Sequence, residues 1–255
     1  MSMRQLKHFL IRRPGLARFA VIVALFLFWE AAARWWVDGM FLSPPSRVFA
    51  SLGSLFETKN VPAALRITFW ELAVAFAISV VIGMTVGLAV GLSRFGNRSF
   101  MPIILLLYGI PQITILPIFI LYFGIGPASK VAFGVTHGIF PIIVTIVAGV
   151  QNIKPILMTA AHSMGASNVQ MFRYVMLPAA LPVILTGLRI GFTVALLSIL
   201  GSETIASLEG LGHQIVHLAE AMETARMFAY ITFAVVIAAC LNTAVSSLER
   251  RSKRR

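Results

Sequence analysis

In the stretch HQIVHLAE, His213, His217 and Glu220 stand at i, i+4 and i+7 and fall on one helical face. Two imidazoles and a carboxylate at that spacing could ligate zinc. The order lacks the His-Glu-x-x-His arrangement in which the glutamate serves as a metalloprotease base, so a packed helix is the alternative. His137 and Glu71 lie inside apolar runs, Glu203 ends another in SETIAS, and Arg189 sits in a third. Ionisable groups in such runs face protein or water and mark either a pathway or a structural bond. There is no Gly-x-x-x-x-Gly-Lys-Ser/Thr loop to cradle nucleotide phosphates and no credible nucleophile–base pair for an intramembrane hydrolase. The lone Cys240 supports neither a disulfide framework nor a cysteine metal site.

The elements that carry these residues are apolar. Hydrophobic residues make up 58% of the 255, charged ones 12%, and the mean hydropathy is +0.89. A soluble domain carries about 25% charge, so lipid is the expected solvent. Six stretches long enough to cross a bilayer are predicted, at 17–36, 64–92, 101–123, 129–150, 181–202 and 227–248. The first has a basic start, as signal peptides do, but its apolar run from Leu16 to Trp36 is long and Trp35–Trp36 suit a membrane interface, so it reads as a retained anchor. The expected organisation is an N-terminal segment over 1–16, an anchor helix over 17–36, an interfacial segment over 37–63, a five-helix core over 64–248 and a basic tail over 249–255. In the interfacial segment Ser46 can cap a short helix, on which Val48, Phe49, Leu52, Leu55 and Phe56 follow helical spacing.

The net charge of +12 raises the possibility of a nucleic-acid partner. If the spans alternate, however, Arg4, Lys7, Arg12, Arg13 and Arg18, the turn with Arg94 and Arg98, Lys154 and Arg173, and the tail Arg250, Arg251, Lys253, Arg254 and Arg255 share one side. Asp38, Glu57, Glu203, Glu209, Glu220 and Glu223 take the other. That bias puts both termini in the cytoplasm and makes the basic charge topological, with no nucleic acid required.

Within the core, Gly83, Gly87 and Gly91 repeat every fourth residue, a pattern for close helix packing within the chain or at a subunit interface. The third span holds Pro102, Pro111 and Pro117, with Gln112 and Thr114 between the last two. Pro111 removes a backbone donor, and a broken helix survives in lipid only where protein or a water-filled cavity covers it. Either a pathway wall or a packing kink is expected there. After the loop GIGPASK the fourth span brings His137 and Pro141.

A polar stretch on the basic side, Lys154 to Pro182, separates spans four and five. Ile156, Leu157, Ala160, Ala161 and Met164 share one face of a short helix that Gly165 ends. Ser167-Asn168-Val169-Gln170 fits a capping box, and the second helix is expected to stop near Leu177-Pro178. Paired small residues on an exposed apolar face suit a closely docking partner.

This segment resembles the EAA loop of binding-protein-dependent ABC importer permeases: Glu-Ala-Ala, three residues, Gly, nine residues, an aliphatic, one residue, Leu-Pro. Ala160, Ala161, Gly165, Val175, Leu177 and Pro178 meet that spacing, and Thr159 replaces the glutamate. SPPSRVFASL, ILPIFILYFGIGPASK and LPAALPVILTGLRIG are similar to the aliphatic sulfonate/taurine/nitrate branch, from about Phe41 to Glu249. The resemblance implies an all-α polytopic membrane protein with six transmembrane helices in the type I ABC importer permease fold, set in the bacterial inner membrane. It implies no enzyme and no cofactor on this chain, with ATP and Mg held by a pair of ABC ATPase subunits. The further partners implied are a second permease copy and a periplasmic solute-binding protein. The solute is a small polar or anionic compound such as a sulfonate, taurine or nitrate. Thr159, Ala160, Ala161, His162, Gly165, Leu177 and Pro178, within a coupling loop over 151–180, would meet the ATPase. Pro111, Gln112, Thr114, His137 and Glu203 are the candidate pathway residues. A stand-alone secondary transporter or channel is the rival, but it needs coupling-ion carboxylates inside the membrane, and only Glu30 and Glu71, near span ends, are available.

Overall fold

The structure, a computed structural model, describes residues 14–55 and 60–253. Arg4, Lys7, Arg12, Arg13, Phe56, Glu57, Arg254 and Arg255 lie outside the described residues, as do the side chains beyond Ser247. Every regular element among the described residues is helical. The chain divides into two compact units, Met1–Val61 with Gln214–Phe233, and Pro62–His213 with Ala234–Arg255.

In the first unit, α1 (Pro14–Trp35) has no charged residue between Arg18 and Glu30. Its large apolar side chains stay exposed, Phe19 and Leu27 at 65% each, as expected of a helix solvated by lipid. Near its end, Glu30 accepts from the Ser46 amide (3.0 Å) and hydroxyl (2.8 Å) and pairs with Arg34 at 2.5 Å. That bond corrects the expected cap. The helix α2 (Pro45–Leu55) starts one residue before Ser46, and the serine serves Glu30 instead of its own helix. Val48 and Leu55 are buried beneath α2, whereas Phe49 is exposed.

The second unit is built on α3 (Asn60–Leu92), α4 (Arg94–Tyr108), α5 (Leu116–Phe123), α6 (Pro127–Gln151) and α9 (Leu177–Ile205). Arg94 and Arg98 do not fill a turn after α3. The connection is Ser93 alone, whose hydroxyl caps α4 by accepting from Gly96 N at 3.0 Å, so both arginines lie on the first turns of that helix. In the third span α4 and a 3₁₀ turn (Gln112–Ile115) leading into α5 meet at a bend of 78°. Counting this bent pair as one span gives the six expected crossings. The loop before α6 is shorter than GIGPASK. Gly124 takes a left-handed φ of +77°, and Gly126 precedes a helix with Pro127 in its first turn, so Ser129 and Lys130 are helical and buried. Two short helices lie between α6 and α9, and α10 (Leu211–Glu220) and α11 (Thr224–Lys253) follow α9.

The glycines answer the packing question for α3. A Cβ on Gly83 would lie 2.7 Å from Ile142 Cγ2, one on Gly87 3.0 Å from Ile146 Cβ, and one on Gly91 3.2 Å from Val147 Cα. The stripe is therefore filled by α6 of the same chain. Gly187 and Gly191 of α9 also pack on α6, at Thr145 and at Ile142, whose side chain thus meets glycines of both α3 and α9. Close approach replaces the hydrophobic drive that lipid does not supply. Gly191→Val would place its Cβ 2.6 Å from Ile142 Cγ1. It is expected to cost roughly 1–3 kcal/mol and to lower the unfolding temperature in detergent.

Candidate functional site

The loop after α6 is assembled from local rules. Lys154 precedes α7 (Pro155–Ser163), with Pro155 at the start where its missing N–H costs nothing. The helix closes with Gly165 N donating to His162 O at 3.0 Å and Ala166 N to Ala161 O at 3.1 Å, a Schellman pair that requires the φ of +77° at Gly165. The predicted capping box is present: Gln170 N donates to Ser167 Oγ at 3.3 Å and Ser167 N to Gln170 Oε1 at 2.8 Å. It starts α8 (Asn168–Met171). Ser167→Ala should cost about 1 kcal/mol and speed amide exchange at Gln170 about fivefold, measured by hydrogen–deuterium exchange.

Two expectations for the loop change. The second helix does not stop at Leu177-Pro178. A π-turn (Phe172–Met176) joins α8 to α9, and Asn168–Ile205 runs as one helical stretch of 38 residues. Leu177 N donates to Phe172 O, five residues back. The wider turn meets a proline that brings no N–H of its own and whose ring crowds the carbonyl one turn earlier. Ala161 is not on the exposed face either: it is buried within the loop, whereas Thr159, Ala160, His162 and Gly165 are exposed. Beside them in the sequence Ile156 (68%), Leu157, Met164 (86%), Val169 and Tyr174 are exposed, so this helical pair leaves several large apolar side chains uncovered. Leu177 is half-buried and Pro178 exposed, where the loop enters α9.

The pathway candidates fall in the bent span and α6. Pro111 leads the 3₁₀ turn with an extended ψ of 90°, and Thr114 Oγ1 donates back to its carbonyl at 2.7 Å. Gln112 is buried and its carboxamide oxygen has no hydrogen-bond partner. His137 is half-buried, its Nδ1 3.1 Å from Phe133 O and its ring edge-on to Phe133 at 4.3 Å. The 3₁₀ turn packs on α6. Glu203 is elsewhere, 1% exposed in α9. It accepts from Thr68 Oγ1 at 2.6 Å and from Gly212 N at 2.7 Å, while Leu211 N donates to Thr68 Oγ1 at 3.0 Å. Glu71 and Lys130, each also 1% exposed, interact electrostatically with it, and Lys130 Nζ donates to Gly126 O at 3.0 Å. Lys130 and Thr68 were not legible as partners of Glu203. The one signal was a lysine three residues into a run that is otherwise apolar. Among the described residues no three His, Cys, Asp or Glu side chains come together as a metal site, so His213, His217 and Glu220 do not form one.

Long apolar helices, a broken span carrying a buried carboxamide and a capped loop with uncovered apolar side chains define a polytopic membrane protein. Residues 79–255 match the binding-protein-dependent transport system inner membrane component, and the chain belongs to that family. It is 32% identical over 247 residues to the taurine transport system permease protein of Escherichia coli (strain K12), covering 95% of this chain and 90% of that one. A second permease of the same organism, whose name assigns it to aliphatic sulfonates, is 31% identical over 89% of this chain and 87% of its own. The fold matches the structure of a bacterial ABC transporter involved in the import of the polysaccharide alginate, at a TM-score of 0.67, 14% identity, and 97% and 96% coverage. The chain is thus the inner-membrane, multi-pass permease subunit of an ABC importer with the type I fold. It works with a binding protein and with ATPase subunits on separate chains.

Proposed function

We propose that two copies of this chain enclose the translocation pathway for a small anionic solute of the sulfonate class. The solute reaches one face on a periplasmic binding protein, and ATPase subunits drive passage from the other. The single observation that carries the coupling is the helix–glycine–helix at Pro155–Met171, closed by a Schellman pair and a capping box and exposing apolar side chains. Ala160 and Thr159 on its surface leave room for close approach, Ala161 spaces the two short helices, and Gly165 sets their angle. His162 lies on the rim, and Leu177 and Pro178 fix the exit into α9. ATP and Mg sit on the ATPase, and this chain binds neither. The basic residues Arg18, Arg94, Arg98, Lys154 and Arg173 support placing the loop and both termini in the cytoplasm. Pro111, Gln112, Thr114 and His137 supply the irregular backbone and polar side chains of a pathway wall. The sulfonate reading rests on the names of the two relatives.

The test is uptake of labelled taurine by proteoliposomes holding the complex with its binding protein and ATPase. ATP-dependent accumulation is expected. A permease that co-purifies no ATPase refutes the docking role. A complex that hydrolyses ATP but accumulates no sulfonate refutes the solute class alone.

A further inference from the structure

Glu203 closes a ring of hydrogen bonds remote in sequence from the docking loop. Its Oε1 accepts from Thr68 of α3, its Oε2 from the Gly212 amide, and the Thr68 hydroxyl accepts from the Leu211 amide. Three segments are thereby joined through one carboxylate: α3, the end of α9, and the turn Glu209–Gly212 that opens α10. The seat is tight. Gly210, at φ +105°, faces the carboxylate so closely that a Cβ would lie 2.4 Å from Glu203 Cδ. On Gly212 a Cβ would lie 2.5 Å from Leu200 O and 2.6 Å from Glu203 Cβ. Only glycine allows this turn to rest on Glu203 with its amides aimed at the oxygens.

The second observation concerns the helix Glu203 belongs to. The helical run Asn168–Ile205 begins inside the docking loop and carries Glu203 in its last turn, 36th of its 38 residues. At 1.5 Å per residue it spans roughly 55 Å, more than a bilayer's thickness. A displacement of its first turn therefore reaches Glu203 without crossing a loop, and the ring hands it to the Glu209–Gly212 turn.

We infer that Glu203 is a positioning residue that straps the Glu209–Gly212 turn to the far end of the helix carrying the docking loop, so that movement imposed by the ATPase at one membrane face appears at the other. The inference rests on the docking role given above. Bonds to buried amide and hydroxyl donors are suited to such a strap because they are short, directional and shielded from competing water.

The experiment uses the assembled importer with Leu208→Cys as a reporter, in the exposed turn, and Cys240→Ser to remove the exposed native thiol. The rate of maleimide labelling at position 208 is read with the ATPase free and with it trapped by ATP and vanadate. With the strap intact, trapping is expected to change the rate at least about fivefold, the lower end of typical coupling between sites. Glu203→Ala and Gly212→Ala should abolish the change while vanadate-sensitive ATP hydrolysis persists, and Glu203→Gln, keeping one acceptor for Thr68, should restore part of it. If Glu203→Ala does not assemble, Thr68→Ala, which removes one hydroxyl, carries the test with the same expected loss. A rate that ignores trapping in the intact strap, or one that still responds in the variants, overturns the inference. Failure of the docking role shows separately, as a permease that retains no ATPase.

Discussion

Gly165→Val is expected to abolish ATP-driven uptake while the permease still inserts and its spans stay folded. Nothing lies within 4 Å of a Cβ built on Gly165, so crowding is not the cause. The cost is conformational: φ is +77°, where a left-handed residue with a side chain costs about 1–2 kcal/mol and a β-branched one more. The chain escapes that cost by leaving the left-handed region. The Gly165 and Ala166 amides then lose His162 O and Ala161 O, and α7 swings relative to α8. The exposed side chains of Ile156, Met164 and Val169 then change their relative placement. Because the strain is confined to an exposed loop, the glycine-packed helices are untouched. A loss of docking free energy of about 1.4 kcal/mol lowers ATPase affinity tenfold, and a larger loss disconnects hydrolysis from transport. Uptake and ATP hydrolysis measured in the same proteoliposomes check this, with Gly165→Asn, which tolerates the left-handed region, retaining most uptake. Wild-type uptake by the valine variant would sink the prediction.

Lys130→Met should be the most destabilising single change in the core. Lys130 is 1% exposed and lies in the same buried polar cluster as the carboxyls of Glu71 and Glu203, with which it interacts electrostatically. Removing one member of a buried charge set costs about 3–5 kcal/mol because the others remain uncompensated. Methionine fills similar volume, so the loss is electrostatic rather than a cavity. Glu71 already has a carboxylate oxygen without a hydrogen-bond partner, which leaves it little with which to compensate. The double variant Lys130→Met/Glu71→Met should recover part of the loss, since it removes one of the two buried carboxyls left without the lysine. Thermal unfolding in detergent of the two variants beside the parent decides it. A double variant no more stable than the single one would show that Lys130 matters through its bond to Gly126 O instead.

What could be read from sequence were features governed by neighbours in the chain. The apolar stretches follow from bilayer thickness, the Gly165 turn from glycine's conformational freedom, the capping box from Ser167 and Gln170 three residues apart, and the break from Pro111. Missed features depend on contacts distant in sequence. Nothing near Ser46 says that Glu30, sixteen residues earlier, will claim its amide and hydroxyl. Nothing near Lys130 or Thr68 says that both join Glu203. The continuation of α8 into α9 was hidden because proline usually ends a helix, and a π-turn is the less common way past it. Ala161 leaves the exposed face that periodicity assigns it because α7 packs against the π-turn, a contact distant from it in sequence.

The glycine stripe has a consequence for motion. Gly83, Gly87 and Gly91 face Ile142, Ile146 and Val150, and both series repeat every four residues. Space for a neighbouring side chain exists only at the glycines, so a slide of α3 along α6 by one or two residues would drive branched side chains into each other. A slide of one full repeat, about 6 Å, would bring glycines opposite branched residues again. The two helices therefore behave like a toothed rack: they travel together as one piece or jump a whole tooth, and gradual creep between them is forbidden.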